Sequence, residues 1–157
     1  MFDLIIRQAR TIDEEVFDIG IQDGKITALA PMLQEQAKQE LTLAEGEFLS
    51  AGWIDDHVHC FEEMTLYYDY PDEIGVKQGV TTVIDAGTTG AENIHRFYDL
   101  AKEAKTNVFA LVNISKWGIV EQDELADLSK VKKELVKEAL QKFPDFIVGI
   151  KARMSKT

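Results

Sequence analysis

The sequence lacks the features that mark several classes of protein. It has a single cysteine, Cys60, so no disulfide can form within the chain. No apolar run approaches the ~20 residues that a membrane-spanning helix needs, and the first residues do not have the basic and apolar regions of a signal peptide. We therefore expect a protein of the reducing cytoplasm that does not enter a membrane.

Basic residues are also scarce. The 157 residues include 17 Lys and Arg against 28 Asp and Glu, which gives a net charge of −11. Nucleic-acid binding depends on basic side chains that release counterions from phosphates, and the chain has no basic stripe, so we expect no nucleic-acid partner. The 45% hydrophobic and 29% charged content is typical of a folded globular protein.

Residues 1–50 have the pattern of short strands. The segments FDLIIRQAR and VFDIGIQ are rich in β-branched and aromatic residues. Asp23-Gly24, between two such runs, predicts a β hairpin. Residues 31–45 are polar, and the sequence leaves open whether they form a loop or a short helix. We interpret residues 1–50 as part of a small β domain.

In residues 51–157, predicted strands alternate with predicted helices. The nearly apolar segments FLSAGWIDDHV, VTTVIDAG, NVFALVNIS and FIVGIKARM are predicted strands, and we expect the first to be buried. A short helix is predicted from Pro71 to just before Gly79. AENIHRFYDLAKEAKT is a second predicted helix, and residues 123–143 are a long amphipathic one. This alternation predicts parallel βαβ units.

Polar side chains occur at the carboxyl ends of the four predicted strands. His57 and His59 end the first strand and Asp85 ends the second. Asn113 and Lys151 end the third and fourth. In α/β sheets and barrels, functional sites are built at this edge. A polar residue can also mark only the point where a strand reaches the surface. This explanation suffices for Asn113, is as good as a functional one for Asp85, and fits Lys151 less easily.

The stretch DDHVHC places two of the three histidines one residue apart. In a strand, residues i and i+2 point to the same side, so His57 and His59 can bind one metal ion. Asp55 lies on the same face and can orient a metal ligand through a hydrogen bond. Two surface or hydrogen-bonded histidines would give the same pattern, but the strand-end position and Lys151 on the fourth strand favour a metal site.

These residues resemble a known family. FLSAGWIDDHVHC is similar to the P-G-x-x-D-x-H-x-H segment of the amidohydrolase superfamily, with Ala51 in place of the usual proline, and GIKARMS resembles its amidohydrolase/deacetylase branch, which is related to dihydroorotases. The resemblance implies an α/β fold, the N-terminal half of a (β/α)8 TIM barrel (residues 51–157) preceded by part of a small β sandwich. It also implies that the remaining ligands and the catalytic aspartate lie beyond Thr157.

The resemblance further implies a cofactor and a reaction. In the family, the lysine on the fourth strand is carbamylated and bridges two divalent metals, usually zinc, which assigns His57, His59 and Lys151 as metal ligands. The implied reaction is hydrolysis of an amide, N-acyl, cyclic amide, ester or amidine bond of a small molecule by a metal-activated hydroxide. We expect the enzyme to be a homo-oligomer.

The residues next to the histidines limit the range of substrates to be expected. Dihydroorotases have an arginine two residues after the second histidine, and Phe61 stands there in this sequence. Because an apolar ring cannot replace a bidentate donor, dihydroorotate is disfavoured, and we expect Phe61 to contact a different substrate. We expect Cys60 to be a small buried apolar residue. Arg153, two residues after Lys151, would hold an anionic part of the substrate if the strand extends that far. An ion pair between Arg153 and a nearby acidic residue such as Asp85 is an equally good explanation of this arginine.

Three alternative functions stay open. The first is adenine deamination, although adenine deaminases of the superfamily usually lack a bridging lysine. The second is hydrolysis of a cyclic amide, as in dihydroorotases or allantoinases. The third is a non-catalytic scaffold, although such homologues characteristically lose the His-x-His pair, which is intact here.

Overall fold

A computed structural model describes residues 1–120 and 125–154. The chain forms two compact units, Met1–Ala51 and Gly52–Thr157. Within the described ranges, no helix is both long enough and apolar enough to cross a bilayer.

The first unit is a four-stranded sheet in the order β3-β2-β1-β4. Strand β1 pairs antiparallel with β2 and parallel with β4, and β2 pairs antiparallel with β3. The bounds of the strands are Phe2–Arg10 (β1), Val16–Gln22 (β2), Lys25–Ala30 (β3) and Ala37–Thr42 (β4).

The predicted hairpin joins β2 to β3. Asp23 and Gly24 both have positive φ angles, 52° and 71°, as a two-residue turn of this kind requires. The flanking residues Gln22 and Lys25 are cross-strand partners. The prediction of a hairpin at Asp23-Gly24 is therefore confirmed. The sequence left the structure of residues 31–45 open between a loop and a short helix. The segment instead contains strand β4, which pairs with the distant strand β1.

Arg7 and Asp18 form a partly buried ion pair within the first sheet. The Arg7 guanidinium lies 2.8 Å from Asp18 and 2.9 Å from Glu40. Asp18 is only 4% exposed and accepts backbone hydrogen bonds from Gln8 and Leu33, each 3.0 Å long. Burial by itself would raise the pKa of Asp18, but the hydrogen bonds from Leu33 and Arg7 outweigh it and hold the pKa below its usual value.

The second unit contains one parallel sheet in the order β5-β6-β7-β8. Its strands are Trp53–Val58 (β5), Val80–Asp85 (β6), Asn107–Asn113 (β7) and Ile147–Lys151 (β8). Its helices are Pro71–Ile74 (α1), Ile94–Ala101 (α2) and Lys133–Lys142 (α3), with single 3-10 turns at Val76–Gln78 and Leu128–Lys130. The predicted alternation of strands and helices is thus confirmed.

The start and end of the first helical segment follow the predicted signals. Pro71 is the first residue of α1, where its missing N–H costs nothing. The segment ends at Gly79, which has a left-handed φ of 81°, a conformation that glycine adopts without steric cost.

The prediction of a long helix over residues 123–143 is wrong about where the helix begins. Residues 121–124 lie outside the described ranges, and the described helix α3 begins only at Lys133. Asp127 accepts a 2.9 Å hydrogen bond from the backbone N–H of Ser129, which closes a short 3-10 turn, and Val131 forms a β bridge with Ser115. Leu128 is consequently 74% exposed and does not belong to the apolar stripe of the helix.

Helices α2 and α3 cover one face of the parallel sheet. Phe97 of α2 is fully buried and contacts Phe61 and Phe146, with ring centroids 5.5 and 5.4 Å apart. The remaining buried members of this core are Cys60, Met64, Val83, Ile94, Ala110, Val112, Val136, Ala139 and Ile147.

Apolar side chains on both edge strands of the parallel sheet are exposed in this chain. Trp53 and Ile54 of β5 are 68% and 65% exposed, and Val148 and Ile150 of β8 are also exposed. The prediction that β5 is buried is therefore wrong for this chain, because β5 is an edge strand. Val148 and Ile150 are two residues apart and share one face of the sheet, and an exposed apolar face of this kind is what half of a barrel would present.

We expect the Asp18 carboxylate to stabilise the first unit above about pH 4 and to lose that effect in acid. A carboxyl whose pKa is lower in the folded state contributes stability above its unfolded pKa of ~3.9, and the contribution is lost as the pH falls toward the folded pKa. Asp18→Asn should lower the stability of this sheet by about 1–3 kcal/mol near neutral pH and flatten its acid dependence.

The measurement is urea unfolding of the whole protein at about pH 7 and about pH 3, followed through the backbone NMR signals of Gln8 and Leu33. Asp13→Asn, at an exposed position, makes the same charge change and serves as the control. Equal stability of the Asp18→Asn and Asp13→Asn variants at neutral pH would show that the ion pair contributes nothing.

Candidate metal site

The parallel sheet brings the predicted site residues to one edge. Asp85, Asn113 and Lys151 are the last residues of β6, β7 and β8, and His59 directly follows β5. In the sheet register, Val58 lies opposite Asp85 and Asn113 lies opposite Lys151. The carboxyl edge of the sheet therefore carries both histidines and the lysine.

The two histidines are close neighbours. Their ring centroids lie 5.8 Å apart, with the ring planes nearly perpendicular at 80°. His57 is exposed, whereas His59 is partly buried and has the ring of Tyr67 at 5.6 Å on another side. A spacing of this size is compatible with two imidazoles that bind one ion from neighbouring positions.

The ring of His59 is tied to a buried hydroxyl. Its Nδ1 lies 2.8 Å from Thr88 Oγ1, and that hydroxyl donates a 2.7 Å hydrogen bond to Asp85 Oδ2. Since a hydroxyl has one proton and Thr88 gives it to Asp85, Thr88 Oγ1 accepts the bond from His59 Nδ1–H. The neutral ring then has its lone pair on Nε2. Burial lowers the pKa of His59, and the neighbouring His57 and Lys151 lower it further, which favours this neutral form.

Asp85 is fully buried and accepts several hydrogen bonds. Its Oδ2 accepts from the backbone N–H of Cys60 at 2.8 Å, and its Oδ1 accepts from the backbone N–H of Thr88 at 2.7 Å. Burial raises the pKa of Asp85, and these bonds oppose the rise. Among ion pairs between described residues, none joins Asp85 to Lys151, so the geometry does not support a purely structural role for Lys151 as a partner of Asp85.

Lys151 is positioned by a glycine. Gly87 has a φ of +79°, and a Cβ atom added to it would overlap the Cβ and Cγ atoms of Lys151. The lysine stem therefore lies directly against the backbone of the loop that follows β6. Its charge is near enough to His59 to lower the pKa of that ring.

Asp55 and Asn113 are engaged with the backbone around the site. Asp55 Oδ1 accepts a 3.1 Å hydrogen bond from the backbone N–H of His57. Asn113 is fully buried, donates to the carbonyl of Gly87 at 3.0 Å and accepts from Ser115 N–H at 2.9 Å. Asp55 therefore supports the backbone beside the first histidine, and Asn113 holds the loop against which Lys151 lies.

Phe61 does not lie at the sheet edge. Strand β5 ends at Val58, and the chain then turns so that the Phe61 ring enters the core, where it is 4% exposed and packs on Phe97. The expectation that Phe61 contacts a substrate came from its position two residues after His59, and the burial of its ring in the core speaks against that contact. Cys60 is buried as expected, and burial raises the pKa of its thiol.

Arg153 lies two residues after the end of β8, so strand alternation does not determine where its side chain points. It is partly buried. The condition attached to its predicted role, that the strand reach residue 153, is therefore not met.

A pocket of about 440 Å³ opens beside His59. Its lining combines apolar and aromatic side chains with two carboxylates. The lining residues are Asp55, Val58, His59, Leu66, Tyr67, Tyr68, Asp69 and Ile74. This volume is within the range of pockets that bind small molecules.

Within the described part of the chain, no group of three or more His, Cys, Asp or Glu side chains is arranged to hold a metal ion. The donors at the sheet edge are two imidazoles and one lysine amine. Imidazole nitrogen is a common zinc ligand, and an amine converted to a carbamate would add an oxygen ligand. The residues present fit part of a zinc centre.

Comparison with known proteins gives close relatives. No protein-family model matches the chain. A protein named deacetylase from Enterococcus faecalis is 67% identical over 156 residues, which are 99% of this chain and 42% of the relative. A crystal structure of an adenine deaminase is also 67% identical, with a TM-score of 0.94, and the match covers 99% of this chain and 42% of that chain.

A crystal structure of a dihydroorotase matches at 29% identity with a TM-score of 0.87, over 97% of this chain and 42% of that chain. The chain thus spans about two fifths of the length of these relatives. The likeness covers both units and confirms the predicted fold, in which β5–β8 correspond to strands of a TIM barrel. The chain belongs to the amidohydrolase superfamily, among relatives that resemble dihydroorotases.

Proposed function

We propose that this chain forms part of a zinc-dependent enzyme that hydrolyses an amide or N-acyl bond of a small molecule, and that His57, His59 and Lys151 hold its metal centre. The observation that carries the proposal is the His59 ring, whose Nδ1 lies 2.8 Å from the Thr88 hydroxyl and whose centroid lies 5.8 Å from that of His57. The relatives named deacetylase and adenine deaminase support hydrolysis of a carbon–nitrogen bond.

The two histidines have the properties that zinc ligands need. A ligating imidazole must be neutral at the nitrogen that binds, and its other nitrogen usually donates a hydrogen bond that fixes the ring. His59 meets both conditions through its lowered pKa and its bond to Thr88. Bound divalent metals would supply an activated water and polarise the scissile carbonyl.

Lys151 would complete this part of the centre as a carbamate. The neutral amine forms a bond from Nζ to the carbon of CO2 and releases one proton, which leaves an anionic carbamate with two oxygens. An ammonium cannot donate a lone pair to a metal, whereas the carbamate can reach two ions. Because the carbamate is an anion and the metals are cations, carbamylation and metal binding should depend on each other.

Substrate recognition would use the pocket beside His59. Leu66 and the two tyrosines Tyr67 and Tyr68 offer an apolar and aromatic wall, and Asp55 and Asp69 lie on the same pocket. A small amide with an apolar acyl or side group suits such a lining.

Adenine deamination is the second candidate. A solved structure 67% identical to this chain is described as an adenine deaminase. The lysine at the end of β8 favours amide hydrolysis instead, because adenine deaminases of the superfamily usually lack it. Dihydroorotate is the weaker choice, since Phe61 replaces the arginine of dihydroorotases and lies in the core. Cytoplasmic location and a homo-oligomeric state stay predictions from the sequence.

Replacing Lys151 tests the proposed function. In the whole protein, Lys151→Ala should retain fewer zinc equivalents than the unaltered protein and lose about 100-fold or more of its kcat/KM toward N-acyl substrates. Short carboxylic acids in the buffer should restore part of both, because they can occupy the place of the carbamate. Metal content by atomic emission and hydrolysis rates are the measurements.

Two variants complete that experiment. His57→Ala should also lose metal, but added carboxylic acids should not restore it, since the lost ligand is an imidazole. Lys133→Ala, at an exposed position at the start of α3, should change neither quantity. Full metal content and full activity in Lys151→Ala without added acid would contradict the proposal.

Gly87→Ala tests the placement of Lys151 without touching a ligand. The added methyl group would overlap Lys151 and strain a backbone with positive φ, so stability should fall by about 1 kcal/mol or more and zinc content should fall as well. Gly79→Ala is a matched control, because its φ is +81° but a Cβ there would meet no atom within 4 Å.

Both glycine variants should show the cost of the strained backbone in thermal unfolding. Only Gly87→Ala should lose metal in the whole protein. If the two variants retain the same zinc content as the unaltered protein, the close packing of Lys151 on Gly87 has no role in the metal site.

A further inference from the structure

We propose that Asp85 and Thr88 are positioning residues for His59, which hold its ring in the Nδ1–H tautomer and so direct the Nε2 lone pair toward the metal. Because the Thr88 hydroxyl donates its proton to the buried Asp85 carboxylate, it can only accept a hydrogen bond from the imidazole of His59. The inference rests on the proposed function for the identity of what Nε2 binds, but the tautomer itself is a property of the protein without metal.

The polarity of this chain of hydrogen bonds is set at the carboxylate. Asp85 Oδ1 accepts from Thr88 N–H, and Oδ2 accepts from Cys60 N–H. Backbone N–H groups can only donate, so both oxygens accept hydrogen bonds, which favours the ionised carboxylate. An ionised carboxylate has no proton to give, so the Thr88 hydroxyl, 2.7 Å from Oδ2, donates to it and has only lone pairs left for His59.

The same carboxylate also fixes the backbone next to His59. Its bond from Cys60 N–H holds the residue that directly follows the histidine. The backbone of Thr88 is held on both sides, since its N–H donates to Asp85 and its carbonyl accepts a 3.0 Å bond from Ile119 N–H. The imidazole and the hydroxyl that it contacts are thus both anchored to one rigid group, which leaves the His59 ring little freedom to turn.

Thr89, the residue after Thr88, shows that a buried hydroxyl in this loop does not necessarily contact His59. Thr88 and Thr89 are both fully buried. Among the described residues, the Thr89 hydroxyl has no hydrogen-bond partner, whereas the Thr88 hydroxyl has two. The two side chains therefore form a matched pair for substitution, equal in size and burial and different in connection to His59.

The test uses four variants of the whole protein: Thr88→Val, Thr88→Ser, Asp85→Ala and Thr89→Val. The first readout is ¹⁵N NMR of the histidine rings in protein stripped of metal by chelation, which reports which nitrogen carries the proton. The unaltered protein should show His59 as the Nδ1–H tautomer. Thr88→Val should give a mixture of tautomers, and Thr88→Ser and Thr89→Val should retain the Nδ1–H form.

The second readout is the dissociation constant for zinc, measured by competition with a chromogenic chelator. Thr88→Val should weaken zinc binding by about 10- to 100-fold, the usual effect of removing a partner of a ligating histidine. Thr88→Ser should recover most of this loss, because it restores the hydroxyl. Thr89→Val should bind zinc as the unaltered protein does.

Asp85→Ala keeps the inference testable if Thr88→Val does not fold. Without the carboxylate, the Thr88 hydroxyl has lost its acceptor and is free to donate to His59 Nδ1, so part of the population should change to the Nε2–H tautomer. That form has no lone pair on Nε2, and zinc binding should weaken in parallel. Retention of the Nδ1–H tautomer alone in the folded Thr88→Val or Asp85→Ala variant would overturn the inference.

The two readouts separate this inference from the proposed function. If the unaltered protein binds no zinc but the tautomer changes as expected, positioning by Asp85 and Thr88 is supported and the metal assignment fails. If zinc binds normally in every variant and the tautomer never changes, the metal assignment stands and the positioning role is overturned.

Discussion

The carboxylate of Asp85 is the group on which the arrangement of the site depends. It has no exposed surface, and a buried charge is costly unless hydrogen bonds replace its lost hydration. Those bonds come from the backbone of Cys60, directly after the His-x-His stretch, and from both the backbone and the hydroxyl of Thr88. The hydrogen bonds of the Asp85 carboxylate thus connect the end of β5 to the loop after β6. As a result, His59 lies within hydrogen-bond distance of the Thr88 hydroxyl.

The rest of the edge follows from the parallel sheet. Parallel strands place all of their carboxyl ends on one side, so residues far apart in sequence become neighbours without any direct bond between them. Asn113 supports the loop after β6 through the carbonyl of Gly87, and the same glycine leaves room for Lys151. The donors of the proposed metal centre therefore share a scaffold of backbone contacts. The relatives that this chain resembles are more than twice as long as the chain itself.

Local signals made much of this arrangement predictable from sequence. Asp23-Gly24 predicts its hairpin, Pro71 and Gly79 delimit their helical segment, and the strand–helix alternation indicates the parallel sheet with its polar edge. What the sequence could not show depends on contacts between distant residues. Strand β4 exists because it pairs with β1, and the start of α3 is displaced to Lys133 by the turn at Asp127 and the bridge from Val131 to Ser115.

The same limit applies to the candidate site. Alternation places His57 and His59 together, but the position of Phe61 two residues further does not place its ring at the site, because the strand ends at Val58 and the chain turns into the core. Thr88 gave no signal as a partner of His59, since 29 residues separate them in the sequence. The polar residues from Asp85 onward indicate that strand β6 ends there. They do not indicate that Thr88 contacts the ring of His59.

Crystallography of the whole protein at the zinc absorption edge can show whether this edge of the sheet holds a zinc centre with a modified lysine. We expect an anomalous peak about 2.0–2.1 Å from the Nε2 atom of His59 and from a nitrogen of His57. We also expect electron density for a carbamate on Lys151 Nζ that reaches the metal. Crystals grown with zinc that show no anomalous peak at these histidines, and an unmodified Lys151, would contradict the proposed zinc centre.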